Sequence, residues 1–467
     1  MAEKVSVIEM NDDQRSAPKG HSRRQFLRTA AIAGGAGLLT AACPAQPPQT
    51  VTVEVPAEQM VLRMWTTRFF NPNINLHLNE EAQNAGRAIG FAVDVQAIPG
   101  SFQEFAAKLS AAAEAGTLPD IFSPQIATQI FMRDGRMLPI QEVWDEVGEG
   151  LGGWHPTAER NFTLDGVGYC LDIGFAPAFM HIREDLVEEA GFSLPFSDLE
   201  EMLAFGLAYT NADENLYGLG FAYGLPDDLM HLQPLMWAFG GAAFNEEGDI
   251  TLDSPENIEA LQWYTDLYTV HEVVPPAAVN WEGGGNNQGY LTGQIAMAMN
   301  PGSILAAVRR GDTPIEDLLD KTYVAPWPQR TPEVGPQTQT EAGQAFGINK
   351  ESQFPDEAQD VLRHLWSPDI YIKMMQMGQS YLFPALMGAY EDPYFSEDRW
   401  NKQVVENVVP IMRDESWPAT PAPWTSLWGT WAGKATSRVI LDGLSAAEAM
   451  KEAHDIVAQA REDFLGG

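Results

Sequence analysis

Two stretches of the 467-residue chain carry residue types that could do covalent or metal chemistry, and both stop short of it. Gly378-Gln379-Ser380-Tyr381-Leu382 begins like the sharp turn that presents a nucleophilic serine, but it lacks the second glycine. His271-Glu272-Val273-Val274-Pro275 begins like a zinc-protease helix, with proline where the second histidine belongs; proline would also break that helix. None of the eight histidines pairs with another at i, i+4, the spacing that sets two imidazoles on one helix face. The two cysteines, Cys43 and Cys170, make no disulfide framework. With 64 acidic residues, a glycosidase-like carboxylate pair stays open.

The elements that must position any site belong to a large soluble chain. A composition 45% hydrophobic and 20% charged excludes both disorder and a bundle of membrane helices. The length fits two or three compact units. Lys and Arg number 28 against 64 acids, a net charge of −36, the wrong sign for a non-specific nucleic-acid binder. From Val61 a strand-like run is followed by a helical stretch to about Ile89, a strand Phe91 to Ile98, an Ala-rich helix Phe105 to Ala115 and a short buried strand Asp120–Ser123. This alternation is the α/β signature. Helical periodicity recurs at Glu184–Ala190, Ser197–Tyr209, Pro255–Tyr268, Pro355–Trp366 and Ala446–Ala460, with β-like runs at Gly293–Met299 and Thr322–Ala325. Ser254-Pro255-Glu256 reads as a helix start, and Asn245–Asp249 as a turn between strands and not a calcium loop.

The amino terminus resembles a bacterial twin-arginine export signal: Arg23-Arg24-Gln25-Phe26-Leu27 precedes an uncharged Ala/Gly-rich run, Thr29 to Ala42, too short to span a bilayer. Leu39-Thr40-Ala41-Ala42-Cys43 resembles a lipoprotein cleavage site, with Thr40 where leucine is more usual. The resemblance implies a signal peptide over 1–42, a lipid on Cys43 and a Pro-rich tether over 43–60; ordinary cleavage and a free Cys43 thiol remain the alternative.

From about Val61 to Phe464 the chain resembles the extracellular solute-binding proteins of ABC importers, the group that includes maltose-binding proteins. The phrases that carry this are Leu118-Pro119-Asp120-Ile121, Gly135-Arg136-Met137-Leu138-Pro139-Ile140, Arg183-Glu184-Asp185-Leu186, Phe239-Gly240-Gly241, Leu252-Asp253-Ser254-Pro255-Glu256 and Leu291-Thr292-Gly293-Gln294-Ile295-Ala296-Met297, in family order. The resemblance implies an α/β fold of two lobes, type II periplasmic-binding-protein-like, with the ligand in the cleft between them. One lobe is expected from 61–174 and 324–376, the other from 175–323 and 377–467, with crossings near Gly174-Phe175, Tyr323-Val324 and Met377-Gly378.

It also implies a sugar or short oligosaccharide as ligand, permease subunits as partners, a monomer anchored outside the cytoplasmic membrane, no cofactor and no catalysis. A peptide or polyamine ligand, or an exported carbohydrate-active enzyme, are the alternatives. Candidate ligand residues follow strand ends: Trp65, Thr66, Arg68, Ser123 and Gln125. Trp281, Trp424 and Trp428 are candidate aromatic platforms, and Asp172, Tyr223 and Asn300 candidate polar contacts. Phe175-Ala176 stands where maltose binders carry a glutamate, which argues against maltose.

Overall fold

The computed structural model describes residues 4–7, 51–54, 60–100, 102–223, 228–281, 284–341, 344–422 and 429–466. The chain divides into two units, residues 1–60 and 61–467. In the first, the strands Lys4–Val7 and Val51–Glu54 pair antiparallel. Cys43 lies outside the described residues.

In the second unit, strand Val61–Thr67 buries Leu62, Met64 and Thr66 and exposes Arg63, the alternation of a strand with one face on a core. Helix Pro72–Ala88 follows. Its Asn71 cap accepts from the Asn73 amide at 3.1 Å, and Ile74, Leu78, Ala82 and Ala85 form the buried stripe. The first sheet has the order Ala92–Ile98, Val61–Thr67, Ile121–Phe122, Ala345–Ile348, Cys170–Asp172, and all but Ala345–Ile348 run the same way. The second has the order Tyr217–Gly220, Ile295–Asn300, Phe179–Arg183, Thr322–Ala325, with Phe179–Arg183 alone reversed.

A third sheet, Phe383–Pro384, Gly174–Pro177, Thr338–Glu341, Met412–Arg413, holds segments that pass between the other two. Gly174–Pro177 links Cys170–Asp172 to Phe179–Arg183, and Thr338–Glu341 lies between Thr322–Ala325 and Ala345–Ile348. A Cβ at Gly174 would sit 2.5 Å from the Phe383 carbonyl oxygen, so glycine is what lets these strands pair. Phe179–Arg183 leaves the crossings, so its three neighbours run back toward them; the four parallel strands of the first sheet also run toward them. The carboxyl ends of both sheets therefore meet the crossings, where ligands of open α/β sheets bind.

Each sheet has its own core. Met64, Ile74, Val143, Phe346 and Trp366 belong to the first, Leu203, Leu219, Leu261, Tyr264 and Trp327 to the second. The expected α/β architecture of two lobes is present. Tyr323 and Val324 lie within a strand of the second sheet, and Val324 packs into the first core from there. Beyond Met377-Gly378 the chain touches both sides: Leu386 bridges to Trp154 of the first, and helix Arg399–Asn407 packs on strand Thr322–Ala325 of the second, with Trp400 Nε1 donating to the Thr322 carbonyl at 3.0 Å.

The local readings hold. Ser254 Oγ accepts from the Asn257 amide at 3.3 Å, opening helix Pro255–Thr269 with Leu261, Tyr264 and Leu267 buried. The Asn245 amide donates to the Asp249 carbonyl at 3.0 Å, closing a turn between Phe244 and Ile250.

Candidate functional site

Parallel pairing sets Trp65 beside Phe122, and the Ser123 amide donates to the Trp65 carbonyl at 3.0 Å. The two loops that leave these strands are thus held together. Gln125 adopts a left-handed φ of 54° and turns its side chain back. Its Nε2 donates to Ser123 Oγ at 2.7 Å and to Thr67 Oγ1 at 3.4 Å. Trp65 is half-buried with Lys108 Nζ 4.6 Å from its ring centroid, a cation–π contact. Its Nε1, like Thr66 Oγ1, is buried with no hydrogen-bond partner among the described residues. Arg68, next along, is exposed.

The strand Ile295–Asn300 ends in a different kind of cluster. Asn300 Nδ2 donates to Asn286 Oδ1 at 3.3 Å and to Asn287 Oδ1. Asn287 Nδ2 donates to Ser303 Oγ at 3.1 Å, and Asn286 Nδ2 to the Met299 carbonyl at 3.2 Å. All four side chains are buried. Trp281 is half-buried, one part of its indole covered by Gly285, where a Cβ would come within 2.4 Å of Trp281 Cγ. Trp424 and Trp428 lie outside the described residues.

The crossings add groups that the sequence reading passed over. Gln339 and Gln344 are buried on the second crossing, each with Oε1 unpartnered among the described residues. Gln337-Thr338-Gln339-Thr340 reads locally as an ordinary polar strand, and only the topology brings it to the sheet ends. The stretch 414–422 is held from both sides: Arg160 Nε donates to Asp414 Oδ2 at 2.7 Å, Arg133 to the Pro421 carbonyl at 3.1 Å, and Gln233 Nε2 to the Glu415 carbonyl at 2.5 Å.

Two candidates sit inside cores instead. Tyr223 is 1% exposed; its hydroxyl donates to the Tyr264 carbonyl at 3.0 Å and its ring packs 4.7 Å from that of Tyr264. Asp172 is fully buried, and Oδ1 accepts from the Gly174 amide at 3.1 Å. Burial drives its carboxyl well above the ordinary range, opposed by that hydrogen bond. Both lie at inward positions of buried stretches, which sequence alternation does not reveal when both faces of a segment are covered.

The two near-misses are equally plain. Ser380 is fully buried and its Oγ accepts from Arg309 Nε at 3.1 Å, so the hydroxyl faces a cation and not a base. His271 and Glu272 follow the end of helix Pro255–Thr269, Glu272 with a φ of 52°. Among the described residues no group of three or more His, Cys, Asp or Glu is placed to hold a metal, and no helix is long and apolar enough to cross a membrane.

Comparison with known proteins accords with this layout. Residues 80–403 match the family of bacterial extracellular solute-binding proteins. No curated protein matches the chain. Among solved structures, an ABC transporter solute-binding protein from Thermotoga lettingae bound with α-D-tagatose has a TM-score of 0.73 at 21% identity, covering 86% of this chain and 99% of that one. Maltose-bound MalE3 of T. maritima has a TM-score of 0.73 at 17% identity, covering 86% of this chain and 100% of that one. A sugar transporter from Arthrobacter chlorophenolicus with bound laminaribiose has a TM-score of 0.71 at 18% identity, covering 86% and 99%. These likenesses bear on the fold; the family match spans more than half of the sequence, and with it the chain belongs to the bacterial extracellular solute-binding proteins.

Proposed function

We propose that the protein captures a neutral sugar or short oligosaccharide between its lobes and hands it to the permease of an ABC importer. The observation that carries this reading is the character of four unpaired atoms near the sheet ends and crossings, the Trp65 indole N–H, the Thr66 hydroxyl and the amide oxygens of Gln339 and Gln344, all uncharged; the unpartnered Asp172 Oδ2 beside them belongs to a carboxyl held toward its neutral form by burial. Sugar hydroxyls both donate and accept, so one polyol can satisfy all of them. A polyamine or cationic peptide would call for carboxylates there, and the one buried at the first crossing, Asp172, is inside a core. The tagatose, maltose and laminaribiose named for the similar structures support the same class.

In this reading one lobe is built on the first sheet and the other on the second, with residues 174–177, 338–341 and the stretch after Met377 passing between them. Ser123, Gln125, Trp65 and Arg68 line one side of the cleft, Trp281, Asn300 and the segment of Trp424 and Trp428 the other. A ligand touching both lobes gains contacts on closure, and that difference is what shifts the lobes together. No bond is made or broken, so the work needs neither nucleophile nor cofactor. Export by the twin-arginine signal and a diacylglyceryl thioether on Cys43 would keep the monomer at the outer face of the cytoplasmic membrane, within reach of the permease.

A thermal-shift screen of the full chain against a panel of neutral mono- and oligosaccharides tests this. A ligand at a hundred times its Kd adds about 2.7 kcal/mol to the folded state. A panel that shifts nothing, or a sugar that is consumed, contradicts the proposal.

A further inference from the structure

Apart from the facing sheet ends, a hollow of about 560 Å³ opens between helix Asp228–Ala238, the start of helix Pro255–Thr269 and the segments 334–337 and 413–418. Trp237, Arg413 and Trp417 form its wall. Arg413 Cζ lies 3.7 Å from the Trp417 ring centroid and 5.8 Å from that of Trp237, and the two indoles meet edge to face at 5.6 Å. Trp237 is buried, with Nε1 unpartnered among the described residues.

In a chain of net charge −36, a guanidinium withdrawn from water is expected to find a carboxylate. Arg160, Arg183 and Arg309, all partly buried, do so. Arg413 is also half-buried, yet its side chain's hydrogen bond among the described residues goes to a neutral acceptor, Gln337 Oε1 at 2.9 Å. Gln337 is fixed in turn by Nε2 donating to the Val334 carbonyl at 3.0 Å. A guanidinium has five N–H donors in a fixed fork. Burial holds Arg413 below its usual pKa, with no acid acting against it. The carboxylates that also line the hollow, Glu246, Glu247 and Glu256, stand at its exposed rim, where water and salt screen them.

We propose that this hollow binds a hydroxylated carboxylate of hexuronic-acid size, its carboxylate paired with Arg413 and its hydroxyls turned toward the rim glutamates. A carboxylate matches the guanidinium fork with two parallel hydrogen bonds. The Trp417 ring, 3.7 Å from the guanidinium, holds that fork in one plane, with Trp237 packed edge to face behind it. Rim carboxylates accept from hydroxyls and repel a more highly charged anion such as a polyphosphate. None of the sheet-end residues lines the hollow, so this site stands apart from the ligand proposed above.

Isothermal calorimetry on the full chain tests it with two pairs of probes, glucuronate against glucose and galacturonate against galactose. At least one uronate should bind about tenfold more tightly than its neutral partner, weakening as salt rises. Arg413→Gln should remove that advantage, and Lys402→Gln, which removes an exposed charge from helix Arg399–Asn407, should leave it unchanged. Should Arg413→Gln not fold, Arg413→Lys keeps the charge without the fork and should still lose most of the preference. Equal binding of acid and neutral sugar overturns the assignment, as does uronate binding that survives Arg413→Gln or falls with Lys402→Gln.

Discussion

At the end of the first sheet, Trp65 Nε1 and Thr66 Oγ1 are buried without partners among the described residues, and Gln339 and Gln344 present unpaired oxygens from the crossing. At the end of the second sheet, Asn286, Asn287, Asn300 and Ser303 are as polar and as buried, but they bond to one another. An unmet buried polar group costs about 1–3 kcal/mol, so a fold keeps one where something else can satisfy it. Under the proposed function the two ends do different work: the first end and the crossing would offer bonds to a ligand, and the second would be a preassembled wall.

Breaking the wall should have the largest effect. Asn300→Leu removes one donor each from Asn286 Oδ1, which keeps the Asn287 amide, and Asn287 Oδ1, which keeps the more distant Ser303 hydroxyl, and should lower unfolding free energy in urea by about 2 kcal/mol. A loss below about 1 kcal/mol would show that the cluster is not bound together as described.

The next effect belongs to Asp172, which sits beside the crossing without serving either end. Its folded-state pKa is raised well above 3.8 by burial, so the folded chain keeps a proton that the unfolded chain has released. Stability from this group is whole below the unfolded value and is lost as pH rises through the folded one. Above the ordinary carboxyl range the loss approaches about 1.4 kcal/mol per pH unit until the folded value is reached. Asp172→Asn keeps an acceptor for the Gly174 amide and should flatten that slope between pH 5 and 8 in a comparison of urea midpoints. Parallel profiles for the two proteins would remove the buried carboxyl as the cause.

The smallest effect on folding should come from the open end. Thr66→Val deletes a hydroxyl with no partner among the described residues, so stability should stay within about 0.5 kcal/mol of the parent. Ligand affinity should fall about fivefold, near 1 kcal/mol. Gln344→Leu should behave in the same way. Loss of stability without loss of affinity would reverse the assignment of the two ends.

Much of this frame is legible in the sequence, because amphipathic periods and caps act locally. The strand at 322–325 falls where expected, and the helix opened by Ser254 starts and turns its apolar face as read. The crossing strands are harder to read: Phe383–Pro384 and Met412–Arg413 are two residues long and owe their pairing to partners far away in the chain. The candidate residues follow the same divide. Trp65, Ser123 and Gln125 follow from the strand-end rule. Tyr223 and Asp172 do not, because a polar side chain that bonds inward looks the same in sequence as one that faces a ligand. Gln339, Gln344 and Arg413 gain meaning only once separate segments meet.

Small-angle scattering from the full chain, with and without the sugar that the thermal-shift screen identifies, tests the central claim most directly. Closure of two lobes on a shared ligand predicts a smaller radius of gyration and a contracted distance distribution at saturation. Superimposable curves from free and saturated protein would contradict it, leaving a rigid site whose occupancy no permease could sense through lobe angle.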